Sequence, residues 1–337
     1  MQKKKLSEIE LNTTLIGDCR ETLKQLPDGC INTCITSPPF YALRDYQEEN
    51  QIGLEKPPDE YVEELVKVFR EVKRVLREDG NLWLNLGDTY SSHKDCKSIS
   101  QTLSIGTGSE QAHVIDKGRS ASRDSKMLKE QGLKNKELIG IPWKVAFALR
   151  EDGWYLRQDI IWSKKNSMPE SVKDRCTKSH EYIFLMTKNP TYYYDNEAIK
   201  EKAVGERWGG NTPINMGNTK YTDNQFSGLT RERKMVYDKK NKRSVWKVNC
   251  KPYRGAHFAV YPPELIEPCI LAGSEKGDIV LDPFMGSGTT AMVAKSLGRD
   301  YNGCELHEDY CNLIQKRVDE YHPVTEVTHS PILDALL

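Results

Sequence analysis

The sequence predicts an α/β fold, a doubly wound and mostly parallel sheet with one polar region inserted late in the chain. Short apolar segments alternate with amphipathic segments on both sides of the insertion, which is the pattern of strands joined by crossover helices. A chain of 337 residues can also bury one large core beside a smaller module. Both observations favour a sheet built from two separated parts of the chain.

The first part of the chain supplies most of the predicted elements. Tyr61, Leu65, Phe69 and Val72 recur at helical spacing, and Gly80 follows as a stop signal. Strands are predicted at residues 13–18, 31–36, 82–88, 155–162 and 181–187, and helices at residues 19–26, 61–76 and 139–149. Residues 90–137 lack periodicity and are predicted to form a long polar loop.

The last part of the chain returns to regular alternation. Strands are predicted at residues 278–282 and 300–305, and helices at residues 262–272, 287–297 and 308–321. We therefore predict a division into residues 1–194, 195–255 and 256–337. The first and third segments would build one sheet, and the middle segment would be the insertion.

The net charge of the chain is zero, but the charge is unevenly distributed. Residues 196–256 hold 14 lysines and arginines against 6 acidic residues. Such a basic segment on a neutral body is typical of a surface that binds a phosphate backbone, although a solvated loop region has the same composition. The candidate binding residues are Arg231, Arg233, Lys239, Lys240, Lys242 and Arg243.

Cysteine usage and hydropathy indicate the compartment. The nine cysteines include no Cys-x-x-Cys pair, so the sequence predicts neither a zinc site nor any other metal site. No apolar run reaches the about 20 residues that cross a bilayer. The first residues are basic with no apolar segment behind them. We expect a cytoplasmic protein, associated with the nucleoid, without contact to a membrane.

A glycine turn follows the strand predicted at residues 278–282. Gly286 and Gly288 allow close approach of a ligand to the backbone, and the helix that follows presents unpaired N–H groups. The turn lacks the third glycine of a dinucleotide fingerprint and the lysine of a P-loop. Glu305 ends the next strand, where a carboxylate can accept hydrogen bonds from both ribose hydroxyls of a nucleoside.

A second motif, Ser37-Pro38-Pro39-Phe40, follows the strand at residues 31–36. It therefore lies at the carboxyl edge of the sheet, where open α/β folds bind ligands. The prolines fix the backbone and donate no N–H, which leaves the Pro38 carbonyl to accept a hydrogen bond. Together with the Ser37 hydroxyl and the Phe40 ring, this set suits an amino group on a heteroaromatic ring. A Pro-Pro turn that merely closes a βα unit is the alternative.

The two motifs together resemble those of the β-class DNA amino-methyltransferases, the N4-cytosine and N6-adenine family of restriction-modification systems. Thr-Ser-Pro-Pro-Phe comes first, and Asp-Pro-Phe-x-Gly-Ser-Gly-Thr-Thr follows near the C-terminus. The resemblance covers nearly the whole chain and implies the S-adenosylmethionine-dependent methyltransferase fold with a circularly permuted motif order. It also implies that residues 195–255, the least family-like part, form a target-recognition region.

The resemblance further implies a role for each motif residue. Asp282, Phe284, Gly286, Gly288 and Thr289 would form or flank the S-adenosylmethionine pocket, Glu305 would bind the ribose and Asp18 the adenine amino group. The target base, extruded from double-stranded DNA, would be held by Ser37, Pro38 and Phe40, with Pro39 completing the motif. A restriction endonuclease acting on the same site would be the partner, and a monomer or a dimer is compatible with the sequence.

Three alternatives remain beside an N4-cytosine enzyme. Family members that act on adenine usually carry Asp at the position of Ser37, so serine favours cytosine and leaves N6-adenine as the alternative. A C5-cytosine enzyme needs a Pro-Cys nucleophile, but Cys269 follows Pro268 inside an apolar helical stretch and is predicted to pack in the core. A catalytically silent nucleotide-binding or DNA-binding module is the third alternative, since fold does not fix function.

Overall fold

The computed structural model describes residues 9–91 apart from 47, 49 and 56, and residues 119–120, 132–203, 239–250 and 261–320. The strands are β1 (Thr13–Ile16), β2 (Ile31–Thr36), β3 (Arg44–Asp45), β4 (Leu76–Leu86), β5 (Arg119–Ser120), β6 (Tyr155–Ser163), β7 (His180–Thr187), β8 (Glu201–Lys202), β9 (Lys239–Lys240), β10 (Val245–Lys247), β11 (Ile279–Asp282) and β12 (Asp300–Glu305). The helices are α1 (Cys19–Thr22), α2 (Pro58–Val75), α3 (Ile141–Glu151), α4 (Pro263–Gly273), α5 (Thr289–Ser296) and α6 (Glu308–Glu320), with a 3₁₀ turn at Leu23–Gln25.

An eight-stranded sheet in the order β1-β12-β11-β2-β4-β7-β6-β10 forms the centre of the fold. Within it, β7 runs antiparallel to both neighbours, and the other pairs are parallel. The predicted α/β class with a mostly parallel sheet is therefore confirmed. The carboxyl ends of β1, β2, β4, β6, β11 and β12 lie at one edge, which is where ligands bind in open sheets of this kind.

The helix α2 shows how the apolar pattern places an element on the sheet. Tyr61, Leu65, Phe69 and Val72 are all fully buried, as their spacing predicts. Pro58 lies in the first turn, where the absent N–H costs no hydrogen bond. The strand β4 begins directly after α2, six residues earlier than predicted, and a register irregularity against β2 accommodates the extra length.

The described part of the chain divides into two compact units, residues 196–243 and the remainder. The predicted boundary at residue 255 differs from this division, because β10 adds to the main sheet as a parallel neighbour of β6. Trp246 of β10 is buried and lies 6.4 Å from Trp83 between ring centroids. Most of the predicted loop at residues 90–137 lies outside the described residues.

Two further expectations concern the helices. Cys269 is buried in α4, and its thiol lies 3.7 Å from the Leu265 carbonyl, so its predicted core position is confirmed. Across the described residues, no helix is long and apolar enough to span a membrane.

Asn81 joins three elements from inside the core. Its Oδ1 accepts hydrogen bonds from the Thr33 hydroxyl at 2.7 Å and the Trp83 indole at 2.8 Å. Its Nδ2 lies 3.2 Å from the carbonyl oxygens of both Tyr193 and Gly273, to which it donates. A fully buried amide thus forms four hydrogen bonds, three of them to buried groups.

We predict that Asn81→Ala lowers the free energy of unfolding by about 3 kcal/mol, because buried donors and acceptors lose their partner. Asn189→Ala is the matched control, since Asn189 donates only to exposed acceptors of Glu78. Urea denaturation followed by circular dichroism measures both variants. Equal destabilisation of the two variants would contradict the prediction.

Candidate active site

A cleft of about 260 Å³ opens at the carboxyl edge of the sheet and is lined by both sequence motifs. The predicted residues that line it are Asp18, Ser37, Pro38, Pro39, Phe40, Phe284, Gly286, Thr289 and Glu305. Asp282 and Gly288 do not line it. The structure therefore brings most of the predicted cofactor residues and the predicted acceptor residues to one cavity, although the two sequence motifs are separated by more than half of the chain.

The two motif glycines act in different ways. Gly286 has a φ of 53° and donates its N–H to Glu305 Oε2 at 2.7 Å, so the turn and the carboxylate fix each other. Gly288 has a φ of 79°, and a Cβ atom there would lie 2.9 Å from Ile314 of α6. Gly288 thus permits close packing of α6 rather than contact with a ligand.

Glu305 carries a half-buried carboxylate that faces the cleft. Burial is the main cause that raises its pKa to about 7, while backbone N–H groups of His307 and Gly286 oppose the rise. The His307 N–H donates to Oε1 at 3.0 Å, which leaves further lone pairs on both oxygens. A carboxylate with this geometry fits the paired hydroxyls of a ribose, which are donors.

Asp18 occupies the N-cap of α1 and is held by Arg20. Its Oδ1 accepts the Arg20 N–H at 2.9 Å, and the guanidinium contacts Oδ2 at 2.5 Å. Burial raises the pKa of Asp18, but the hydrogen bonds from Arg20 outweigh it and hold the pKa below its ordinary value. Arg20 also pairs with Glu64 of α2. The Asp18 carboxylate is therefore ionised and oriented at the cleft wall, where it can still accept from an amino group.

Asp282 is fully buried behind the cleft and is surrounded by donors. Its Oδ1 accepts from the Thr36 hydroxyl at 2.6 Å and the Phe284 N–H at 3.0 Å. Its Oδ2 accepts from the hydroxyls of Tyr261 at 3.0 Å and Thr290 at 2.5 Å. The sequence prediction placed Asp282 beside the cofactor, but its oxygens serve the protein, since they tie the end of β2 to the glycine turn.

The Ser37 hydroxyl is oriented by a chain of polar groups. It donates to Asn85 Oδ1 at 3.0 Å, and the Asn85 amide in turn donates to Glu181 Oε2 at 3.2 Å and the Tyr182 carbonyl at 3.1 Å. Lys164 pairs with the other oxygen of Glu181. Because both acceptors fix the amide, Asn85 can offer only its oxygen to Ser37. The Ser37 oxygen is left to accept a hydrogen bond from a ligand.

The remaining motif residues are also fixed. The Tyr61 hydroxyl donates to the Pro39 carbonyl at 2.8 Å, whereas the Pro38 carbonyl meets no donor among the described residues. The Phe40 ring packs on Gly87, where a Cβ atom would lie 2.5 Å from its Cε2. Sequence reasoning missed Asn85, Glu181 and Tyr261, which are distant from the motifs in sequence and are brought to them only by the tertiary fold.

The predicted DNA-binding residues lie in the smaller unit or outside the described residues. Lys239 and Lys240 form β9, which pairs antiparallel with β8. Lys242 and Arg243 lie 3.9 Å and 3.4 Å from Glu201 oxygens. Arg231 and Arg233 lie outside the described residues. Contact of these side chains with DNA stays a prediction.

Comparisons with known proteins show which family the chain resembles. The family model for DNA methylases matches residues 31–316. The chain is 43% identical to the Type II methyltransferase M.SmaI of Serratia marcescens over 304 residues, which is 90% of this chain and 89% of that protein. It is 44% identical to M.XycI of Xanthomonas campestris pv. cyanopsidis over 308 residues, covering 91% and 87%.

Two solved structures share the fold. PvuII DNA methyltransferase, described as cytosine-N4-specific, has a TM-score of 0.59 at 16% identity, with 94% of this chain and 89% of that chain covered. A protein from Thermus thermophilus, described as a DNA modification methylase and complexed with S-adenosyl-L-methionine, has a TM-score of 0.54 at 22% identity, with 93% and 96% covered. The cofactor is therefore S-adenosylmethionine. Its ribose carries two hydroxyl groups, which are hydrogen-bond donors of the kind that the Glu305 carboxylate can accept.

We predict that S-adenosylmethionine binding weakens as the pH falls through 7, because protonation of Glu305 replaces a hydrogen-bond acceptor by a donor. The affinity at pH 6 should be about tenfold lower than at pH 8 if only the ionised carboxylate binds. Titration calorimetry of wild type and Glu305→Gln separates this effect from titration of the cofactor itself.

The matched control is Glu181→Gln, which changes a carboxylate at the acceptor side of the same cleft. It should keep the pH dependence of the wild type, whereas Glu305→Gln should lose it. An identical pH profile in wild type and Glu305→Gln would contradict the assignment of the ribose site.

Proposed function

The chain belongs to the DNA methylase family, as a β-class amino-methyltransferase of restriction-modification type, and we propose that it methylates the N4 amino group of cytosine in duplex DNA. The orientation of Ser37 carries the proposal. Its hydroxyl proton points to Asn85, so its oxygen faces the cleft as a neutral acceptor. Adenine-specific members of the family usually carry Asp at this position. A solved enzyme of the same fold is described as cytosine-N4-specific, so the fold accommodates this reaction.

The protein groups at the acceptor side orient and activate a weak nucleophile. S-adenosylmethionine supplies a sulfonium methyl group, which is already a strong electrophile. The exocyclic nitrogen of a base is a poor nucleophile, because its lone pair is delocalised into the ring. Hydrogen bonds from its two N–H groups to Ser37 Oγ and the Pro38 carbonyl would localise that lone pair, and the Phe40 ring would stack on the base.

The same groups determine where the proton goes. A hydroxyl that already donates to Asn85 and a peptide carbonyl can accept hydrogen bonds but cannot take up a full proton. The nitrogen therefore keeps both protons during the attack, and the methylated ammonium then releases one to solvent. The nitrogen–carbon bond forms as the sulfur–carbon bond breaks, which needs no protein nucleophile and leaves Cys269 without a catalytic role.

Nucleoside analysis of DNA from cells that express the gene tests the proposed product. Mass spectrometry should detect N4-methylcytosine, and sequencing should map it to one short motif. N6-methyladenine alone would overturn the choice of base and leave the enzyme class intact. The presence of 5-methylcytosine alone would overturn the mechanism as well.

The similarity to Type II methyltransferases supports the further proposal that a restriction endonuclease acting on the same motif is the biological partner.

We predict that Ser37→Ala lowers kcat about tenfold, the equivalent of one hydrogen bond of roughly 1.4 kcal/mol, with unchanged cofactor affinity. Asn85→Ala should lower kcat by less, because it removes only the group that orients Ser37. Single-turnover methylation of a cognate duplex measures both. Asn189→Ala is the control for an amide remote from the cleft.

The double variant distinguishes orientation from a separate role of Asn85. If Asn85 acts through Ser37, the Ser37→Ala and Asn85→Ala effects should not add, and the double variant should match Ser37→Ala. Fully additive losses would contradict the proposed relay from Asn85 to Ser37.

We also propose that residues 195–255 contact the DNA backbone as the target-recognition region. Combined neutralisation of Arg231, Arg233, Lys239, Lys240, Lys242 and Arg243 should flatten the salt dependence of DNA affinity, by about 0.9 in log–log slope for each phosphate that is no longer neutralised. Fluorescence anisotropy against salt concentration measures the slope. The control is the double variant Lys276→Gln/Lys295→Gln, at the amino edge of the sheet, which should keep the wild-type slope. An unchanged slope in the sixfold variant would contradict the proposal and indicate that the basic segment is only a solvated surface.

A further inference from the structure

A loop of residues 164–179, here called the acceptor-side loop, joins β6 to β7 at the carboxyl edge of the sheet. Its two ends are paired, because Ser163 lies opposite His180 and the Lys164 N–H donates to the Ser179 carbonyl at 2.8 Å. Lys164 also pairs with Glu181, which belongs to the chain of polar groups that orients Ser37. The loop therefore begins beside the place where the target base would be held.

The tip of this loop exposes apolar side chains to water. Met168 is 76% exposed, more than any other large apolar side chain in the described part of the chain, and Val172 is 39% exposed. Pro169 follows Met168 and is also exposed. Single exposed apolar residues are common, but this group lies on one loop next to the cleft. Folding gives no reason for its position, so contact with a partner is the interpretation to test.

Several contacts hold the base of the loop in place. The Arg175 guanidinium lies 3.9 Å from the ring centroid of Tyr90. On the other side, the Asn166 amide donates to the Cys250 carbonyl at 2.7 Å and accepts the Cys250 N–H at 2.9 Å. Met168 is thus presented from a base that is fixed on both sides, which lowers the entropic cost of inserting its side chain elsewhere.

The charge of the loop identifies the class of partner. The acceptor-side loop contains five basic residues and two acidic residues. Glu170 pairs with Arg175 of the same loop, Asp174 pairs with Lys136 at 2.6 Å, and Lys164 pairs with Glu181. The surplus positive charge of the loop therefore rests on Lys165, Lys173 and Lys178. Lys165 and Lys173 are exposed beside the apolar tip. An apolar tip with a positive surround is complementary to a nucleic acid backbone with an accessible base stack.

We propose that Met168 and Pro169 form a wedge that enters the duplex where the target base has left the stack. This inference rests on the proposed function, in which the base is extruded before methylation. Extrusion leaves a gap between the neighbouring base pairs. Apolar side chains such as Met and Pro are inserted between base steps in other DNA complexes, so their shape and polarity suit such a gap. The flexible thioether of methionine adapts to an irregular gap without a strict geometry.

Methylation of two duplexes by full-length Met168→Ala tests the wedge. Both carry the motif mapped by sequencing, one fully paired and one with the target base in a mismatch. The wedge should matter only where extrusion is costly. We expect kcat/KM to fall about tenfold on the paired duplex and to stay within about twofold of wild type on the mismatched one. Tyr155→Ala, at the opposite edge of the sheet and 45% exposed, is the control and should change neither value.

The possible results separate this inference from the proposed function. Fluorescence of 2-aminopurine at the target position should also show less extruded base in Met168→Ala than in wild type. Equal loss on both duplexes would overturn the wedge and indicate a general DNA contact. No loss on either duplex would also overturn the wedge, and it would indicate that the exposed tip contacts a protein rather than DNA. Absence of methylation by the wild-type protein would instead overturn the proposed function, and the wedge with it.

Discussion

The carboxylate of Asp282 is the interaction on which the site depends. The Thr36 hydroxyl and the Phe284 N–H donate to one of its oxygens, and the hydroxyls of Tyr261 and Thr290 donate to the other. Burial of an acid is costly, and here four donors compensate the lost hydration. Burial raises the pKa of Asp282, against these hydrogen bonds. Because Thr36 immediately precedes the Ser37–Phe40 motif, this carboxylate fixes the position of that motif relative to the glycine turn.

That link explains why the motif order along the chain has little physical consequence. β2 and β11 are neighbours in the sheet although they lie far apart in sequence. The acceptor motif and the glycine turn both leave the same edge, and Asp282 joins them across the two strand ends. Methyl transfer needs the reacting atoms aligned at about 3–3.5 Å, and rigid strand ends supply such alignment better than mobile segments do.

Local patterns predicted what depends on local physics. The sequence alone predicted the helix α2, the glycine turn and the Pro-Pro segment. Each depends on the burial or the backbone conformation of its own residues, which a local pattern shows directly. Asn85, Glu181 and Tyr261 were not, since each is unremarkable in its own segment and gains its role from a neighbour in the sheet. The donors to Asp282 could not be predicted for the same reason, since they come from separate places in the chain. The strand Val245–Lys247 was not predicted either, because three residues are too few to show strand alternation.

Three carboxylates near the cleft differ in how many protein donors they receive, and this difference assigns their roles. Asp282 receives four donors and faces the protein, so it positions the motifs. Asp18 is held by Arg20, which keeps its pKa low and its charge fixed at the cleft wall. Glu305 receives the N–H groups of Gly286 and His307 and retains acceptor capacity toward the cleft. Its raised pKa of about 7 is the consequence of burial with too few donors, a deficit that the hydroxyl groups of a nucleoside would fill in the proposed ribose site.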